Sequence, residues 1–295
     1  AFTIEDKLII IKDYMLPEIL KEIGYNKNEI VFSDDIIKFI IKTYTNEAGV
    51  RKIKEKILEI IREINLNKLM NNKNNDIIII SKDYIENLFK NKPKMRIKKI
   101  CPSPQQGLVN GLYATTSGIG GLTIIQVMKF PSEKMLELNI TGQQGDVMKE
   151  SVKYALRIAY TLLNEDEQNK IISDNKDGKN FGLHIHTPEA ATKKDGPSAG
   201  AAMTLAIYSV LSGRKINNEV ALTGEIDLMK NITAIGGVYA KLNGAKEAGV
   251  KKALIPKENL DDLNILRDKG ISPEDDTFTV ETIETIEDVM KHCLV

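Results

Sequence analysis

Between positions 50 and 64 the apolar residues fall three and four apart. Val50, Ile53, Ile57, Ile60, Ile61 and Ile64 therefore wind one stripe along a helix that faces a core. Shorter helices with the same period precede it. Thr3 and Asp6 have the form of a capping box, followed by Leu8, Ile9, Ile11 and Met15 until Pro17 breaks or turns the chain. Asp35 is expected to cap a second helix carrying Ile36, Phe39, Ile40 and Tyr44. After the long helix the pattern gives a polar loop at 71–75, a short buried strand at 77–80 and a last helix at 82–89. The period then changes. Apolar stretches at 108–114, 122–128, 136–141, 182–186 and 252–255 read as strands, and they alternate with long helices expected at 146–163, 198–211 and 237–248. The fold class is therefore α+β, a small helical domain followed by a mixed α/β domain. The expected boundaries are 1–92 for the helical domain, 93–106 for a linker containing Pro93, Pro102 and Pro104, and 107–295 for the second domain.

Composition narrows the class. A chain of 295 residues, 42% hydrophobic and 28% charged, can bury two cores. No apolar run reaches the roughly 18–20 residues of a membrane span, so no membrane insertion is expected. The net charge is zero, but residues 1–100 carry 20 Lys/Arg against 15 Asp/Glu and the remainder 21 against 26. Six of the ten residues from Lys90 to Lys99 are basic; without interleaved aromatics they read as a solvated linker, with weak DNA binding as the rival. Cys101 and Cys293 lie far apart and give no disulfide framework. Beginning at Ala1-Phe2 without methionine, the chain is expected to be a piece of a longer protein.

The candidate chemistry centres on Ser198, in Lys194-Asp195-Gly196-Pro197-Ser198-Ala199-Gly200, and on Lys241, which closes Gly236-Gly237-Val238-Tyr239-Ala240-Lys241. A serine hydroxyl needs a base, and a desolvated neutral lysine is one. Bringing a lysine from about 10.4 to near 7 disfavours its ammonium by roughly 4–5 kcal/mol, which burial must supply. Pro197 and the glycines set Ser198 at a turn opening an apolar helix, whose N-terminus favours an oxyanion. Thr223 is a candidate to orient the amine, and Asp195 a candidate gate or partner of Lys241. A Ser-His-Asp alternative with His184 or His186 is weaker, because two histidines two apart share a strand face and only one could serve. With no cysteine at ligand spacing, no metal site is expected either.

These runs resemble the Lon family of ATP-dependent proteases. The likeness extends to His184-Ile185-His186-Thr187-Pro188-Glu189, Ala221-Leu222-Thr223-Gly224-Glu225-Ile226, Gly145-Asp146-Val147-Met148-Lys149-Glu150-Ser151 and, upstream, Tyr44-Thr45-Asn46-Glu47-Ala48-Gly49-Val50-Arg51. The resemblance implies a Ser198–Lys241 dyad supported by Thr223, a homohexamer acting on unfolded proteins or peptides, and a bacterial cytoplasmic or mitochondrial matrix location. The helical domain resembles the AAA+ α-subdomain, with Arg51 as a sensor-2 arginine reaching ATP held, with Mg, by a preceding domain. No Gly-x-x-x-x-Gly-Lys-Ser/Thr occurs in the 295 residues, so this chain alone is not expected to hydrolyse ATP, and its peptidase chemistry implies no cofactor. Three positions depart from the family pattern: Lys193 for proline, Ala190 for glycine, and Gln126 where a glutamate is usual near the active site. The rival from another class is a non-catalytic assembly or nucleic-acid-binding module.

Overall fold

The computed structural model describes residues 2–26, 28–45, 47, 49–71, 77–94, 98–116, 118–188 and 195–295. The loop expected at 71–75 lies beyond Asn71 outside these residues, as do Ala190 and Lys193. Two compact units emerge, one from residues 1–96 with 115–119, the other from 97–114 and 120–295.

In the first unit the order is α1 (Ile4–Ile10), α2 (Leu16–Ile23), β1 (Ile30–Val31), α3 (Asp34–Tyr44), α4 (Arg51–Asn71), β2 (Ile78–Ile79) and α5 (Lys82–Leu88). The Thr3–Asp6 box is present, with Asp6 N–H donating to Thr3 Oγ1 at 3.0 Å and Thr3 N–H to Asp6 Oδ2 at 2.9 Å. Three expectations change. Pro17 does not break the chain: it sits at the start of α2, and Ile11–Met15 widens into a π-helical turn. That turn accommodates the missing N–H and the ring, which an unbroken α-helix would not. Ser33 rather than Asp35 caps α3, its hydroxyl accepting from Ile36 N–H at 3.3 Å, because Asp35 already lies inside the first turn. Finally, the strand over 77–80 is only half buried. Among the described residues it pairs, in parallel, with β1 alone, leaving Ile79 74% exposed while Ile80 turns into the core. The α4 stripe packs Ile53, Ile57, Ile60 and Ile61 against Ile11, Ile19, Ile37, Ile40, Ile85 and Phe89.

The second unit contains β3 (Leu108–Ala114), β4 (Gly120–Pro131), β5 (Leu138–Thr141), α6 (Asp146–Thr161), α7 (Glu165–Lys176), β6 (Phe181–His186), α8 (Gly200–Ser212), β7 (Val220–Leu222), β8 (Glu225–Ile226), β9 (Ile232–Thr233), α9 (Val238–Ala248), β10 (Lys252–Pro256), α10 (Leu260–Asp268), β11 (Thr279–Ile283) and α11 (Ile286–Cys293). Seven strands form one mixed sheet in the order β11-β10-β7-β3-β4-β6-β5, antiparallel where β4 meets β3 and β6 and parallel elsewhere. Alternate residues face opposite cores. Ile125, Val127, Leu183 and Ile185 pack with α6, α8 and α11, whereas Leu122, Ile124, Ala253 and Ile255 pack with α9 and α10. The fold is α+β, and α8, apolar on every side, is its buried centre.

The expected linker is attached to the second unit from Ile100 onward. Ile100 N–H donates to Ala248 O at 3.2 Å, and Asn218 Nδ2 donates to Cys101 O at 2.6 Å. Among the described residues no helix is long and apolar enough to cross a membrane.

Candidate active site

Pro197–Ala199 forms a single 3-10 turn that runs straight into α8, with Ser198 half-buried at its middle. Pro197 suits this first turn because its fixed φ is already helical. Beside it ends β7, whose next residues clamp the serine main chain. Ser198 O accepts from Gly224 N–H at 2.9 Å and from Thr223 Oγ1 at 3.3 Å, while Ala201 N–H donates to Gly224 O at 3.1 Å. Thr223 itself is fully buried and anchored to the next strand through its N–H to Leu254 O at 3.1 Å.

Lys241 lies in the first turn of α9, after Gly237, whose positive φ of 73° ends the approach loop and starts the helix. Only 4% of Lys241 is exposed. Its Nζ donates to Thr223 Oγ1 at 3.1 Å, so one hydroxyl joins the amine to the Ser198 main chain. Burial lowers its pKa from 10.5 to about 8. That shift disfavours the ammonium by about 3 kcal/mol, less than the shift to near 7 anticipated from sequence, and leaves half the amine neutral at pH 8.

The Asp195 carboxylate accepts from main-chain N–H groups. Its Oδ1 accepts from Met148 N–H at 3.2 Å at the start of α6, and from Gly196 N–H at 3.0 Å. The carboxylate fills the space beside Gly145, where a Cβ would meet it at 2.2 Å. Asp195 thus caps α6 from a distant loop, where the helix dipole favours an anion. Among the described residues Lys241 has no ion pair, and burial alone accounts for its shift.

His184 and His186 share an acceptor or donor in Thr141, whose Oγ1 lies 2.8 Å from His184 Nε2 and 2.7 Å from His186 Nδ1. As the spacing of two implies, both rings stand on one face of β6. Gln126, exposed on β4, is in register with His186. In the first unit Arg51 opens α4 with its side chain 91% exposed and its Nε 3.4 Å from Glu55 Oε1. Sequence reading missed Glu47 beside it: its carboxylate accepts from Lys52 and Ile53 N–H at 2.8 and 2.9 Å. An acidic residue ahead of an uncapped helix was the available signal.

Two family models match the chain. Residues 21–77 match the Lon protease AAA+ ATPase lid domain, and residues 79–295 the Lon protease (S16) C-terminal proteolytic domain. Among relatives, the Lon protease of Campylobacter jejuni is 37% identical over all of this chain and 37% of its own length. The Lon protease of Clostridioides difficile is 39% identical over 88% of the chain and 32% of that protein, and a Lon protease homolog of Acanthamoeba polyphaga mimivirus 34% identical over 92% and 32%. The chain spans about a third of the length of these relatives. A proteolytic-domain match over 79–295, joined to a lid-domain match immediately before it, means that the chain belongs to the Lon protease family.

Proposed function

We propose that this chain carries the peptidase chemistry of an ATP-dependent serine endopeptidase that degrades unfolded or damaged proteins, with Ser198 as nucleophile and Lys241 as base. The observation that carries the reading is the buried lysine amine tied through Thr223 to the Ser198 main chain. Neutral Lys241 takes the Ser198 Oγ proton as the oxygen attacks the peptide carbonyl, which requires Oγ to come within about 3 Å of Nζ. The resulting ammonium returns a proton to the leaving amine. Backbone N–H groups at the start of α8 favour the oxyanion, and water, deprotonated by the same amine, then releases the acyl group. Thr223 orients the amine, while Asp195, by capping α6, fixes the loop that carries Ser198. The acid side chain therefore supports the site from behind rather than as the lysine's partner.

In this reading the domains run 1–92, 93–106 and 107–295, and copies of the whole protein assemble into a homohexamer in the bacterial cytoplasm or the mitochondrial matrix. An exposed guanidinium at the N-terminus of α4 suits a phosphate, so Arg51 is the residue of this chain that would contact ATP. The nucleotide would supply energy for unfolding; the peptidase residues need no part of it. A non-catalytic module, with or without DNA binding, is not favoured. Ser198→Ala removes one oxygen at a turn and is expected to abolish cleavage of a fluorogenic peptide with the circular dichroism spectrum unchanged; turnover at the parent rate would sink the assignment.

A further inference from the structure

Helix α9 meets the start of β4 main chain to main chain. A Cβ on Gly244 would stand 2.3 Å from Gly120 C and Gly121 N, and one on Gly120 would stand 1.8 Å from Ala240 O. Those obstacles are backbone atoms, which cannot rotate aside as a side chain can. Ordinary contact starts near 3.4 Å, so a methyl at Gly244 must push the helix and strand apart by about 1 Å. Two turns before Gly244, a Cβ on Gly237 would lie 2.7 Å from Ala114 Cβ. Lys241 directly follows Ala240, the residue whose carbonyl touches Gly120, so any displacement of the helix at this contact is delivered to the lysine.

We propose that the Gly120–Gly244 backbone contact is a positioning element of the reaction: by seating α9 against β4 it fixes the depth at which the Lys241 amine is held beside Thr223. The inference rests on the Ser198–Lys241 reading. Physically, a helix lifted by about 1 Å admits water to a site that now leaves Lys241 only 4% exposed. The elements packed on α9 carry Tyr113 on β3, Lys129 on β4, Lys252 on β10, and Asp261, Asp262, Arg267 and Asp268 on α10. None of these groups perturbs Lys241, whose lowered pKa comes from burial. Depth in the pocket is thus the variable through which the contact acts.

The test compares Gly244→Ala with Val289→Ala, which opens a cavity in the core on the opposite face of the sheet. Two readouts are taken. One is the Lys241 titration, followed by NMR in the 295-residue chain labelled with 13Cε-lysine and assigned by loss of its signal in Lys241→Met. The other is the acid limb of kcat/KM for a fluorogenic peptide. Gly244→Ala is expected to raise the titration by about one pH unit or more toward 10.5, and to cost about tenfold in kcat/KM at pH 7. Val289→Ala should lower Tm and move neither readout. If Gly244→Ala does not fold, Gly120→Ala probes the same contact from the strand side, where the new Cβ meets Ala240 O, and the same shift is expected. A folded Gly244→Ala or Gly120→Ala with an unmoved titration overturns the inference. A titration that moves while the rate limb stays put would leave the packing claim standing and remove Lys241 as the base.

Discussion

Replacing Thr223 by valine exchanges a hydroxyl for a methyl of nearly the same shape and removes two hydrogen bonds, from Lys241 Nζ and to Ser198 O. Ser198 O keeps its bond from Gly224 N–H at 2.9 Å, so the serine loop stays clamped. Each lost bond costs about 1 kcal/mol, and burial of the new methyl returns about 0.8 kcal/mol, for a net destabilisation of about 1–2 kcal/mol. The effect on protonation is more telling. The hydroxyl oxygen stabilises the ammonium more than the neutral amine, by about 1 kcal/mol, so its removal should lower the Lys241 pKa from about 8 toward 7. The acid limb of kcat/KM should therefore move to lower pH, while the plateau falls about 10- to 100-fold because the amine is no longer aimed. A pH series from 5.5 to 9.5 with a fluorogenic peptide, alongside Thr223→Ser as the variant that keeps the oxygen, checks both. An acid limb that stays at its parent position, or Thr223→Val and Thr223→Ser behaving alike, would refute the reasoning.

Two further outcomes follow from the same geometry. Lys241→Met should stabilise the fold at pH 7 by about 1–3 kcal/mol in urea titrations, since the native state no longer holds a disfavoured ammonium, less the cost of the one hydrogen bond that the Thr223 oxygen loses. Because the folded pKa lies below the unfolded 10.5, the parent gains stability as pH rises from about 8 to 10.5, so this advantage must shrink over that window; a constant difference would contradict it. Asp195→Asn keeps an oxygen for Met148 N–H and should retain stability and most activity, whereas Asp195→Ala should lose about 1 kcal/mol together with activity. Equal losses in Asn and Ala, measured by thermal melts and peptide turnover, would favour an ionic role instead.

What was legible in the sequence followed from periodicity. The strand at 108–114 has the same bounds in the structure, and the helix carrying Ser198 needed only its first turn reassigned as 3-10, because both lie where apolar burial is uninterrupted. Elements that are short or bury few apolar residues were missed. Helix α7 buries only Ile171 and is held by its Asn164–Glu167 capping box, while β7 is three residues long and gains its place from parallel neighbours on both sides. Ser198, Lys241 and Thr223 were visible as residue types at suggestive spacing, but Asp195 was not readable as the cap of α6: that bond joins residues 47 apart and depends on the notch at Gly145. The exposure of Ile79 was equally hidden, since an apolar run does not say how many neighbours its strand will find.

The central claim is that a neutral Lys241 accepts the Ser198 proton, and the rate of peptide cleavage by Lys241→Arg between pH 7 and 9.5 tests it most directly. Arginine keeps the charge and nearly the length but does not deprotonate in this range. The account predicts no cleavage above background at any of these pH values, from a variant whose circular dichroism spectrum matches the parent. Substantial cleavage by Lys241→Arg, especially if His184→Gln or His186→Gln abolishes it, would contradict the lysine mechanism.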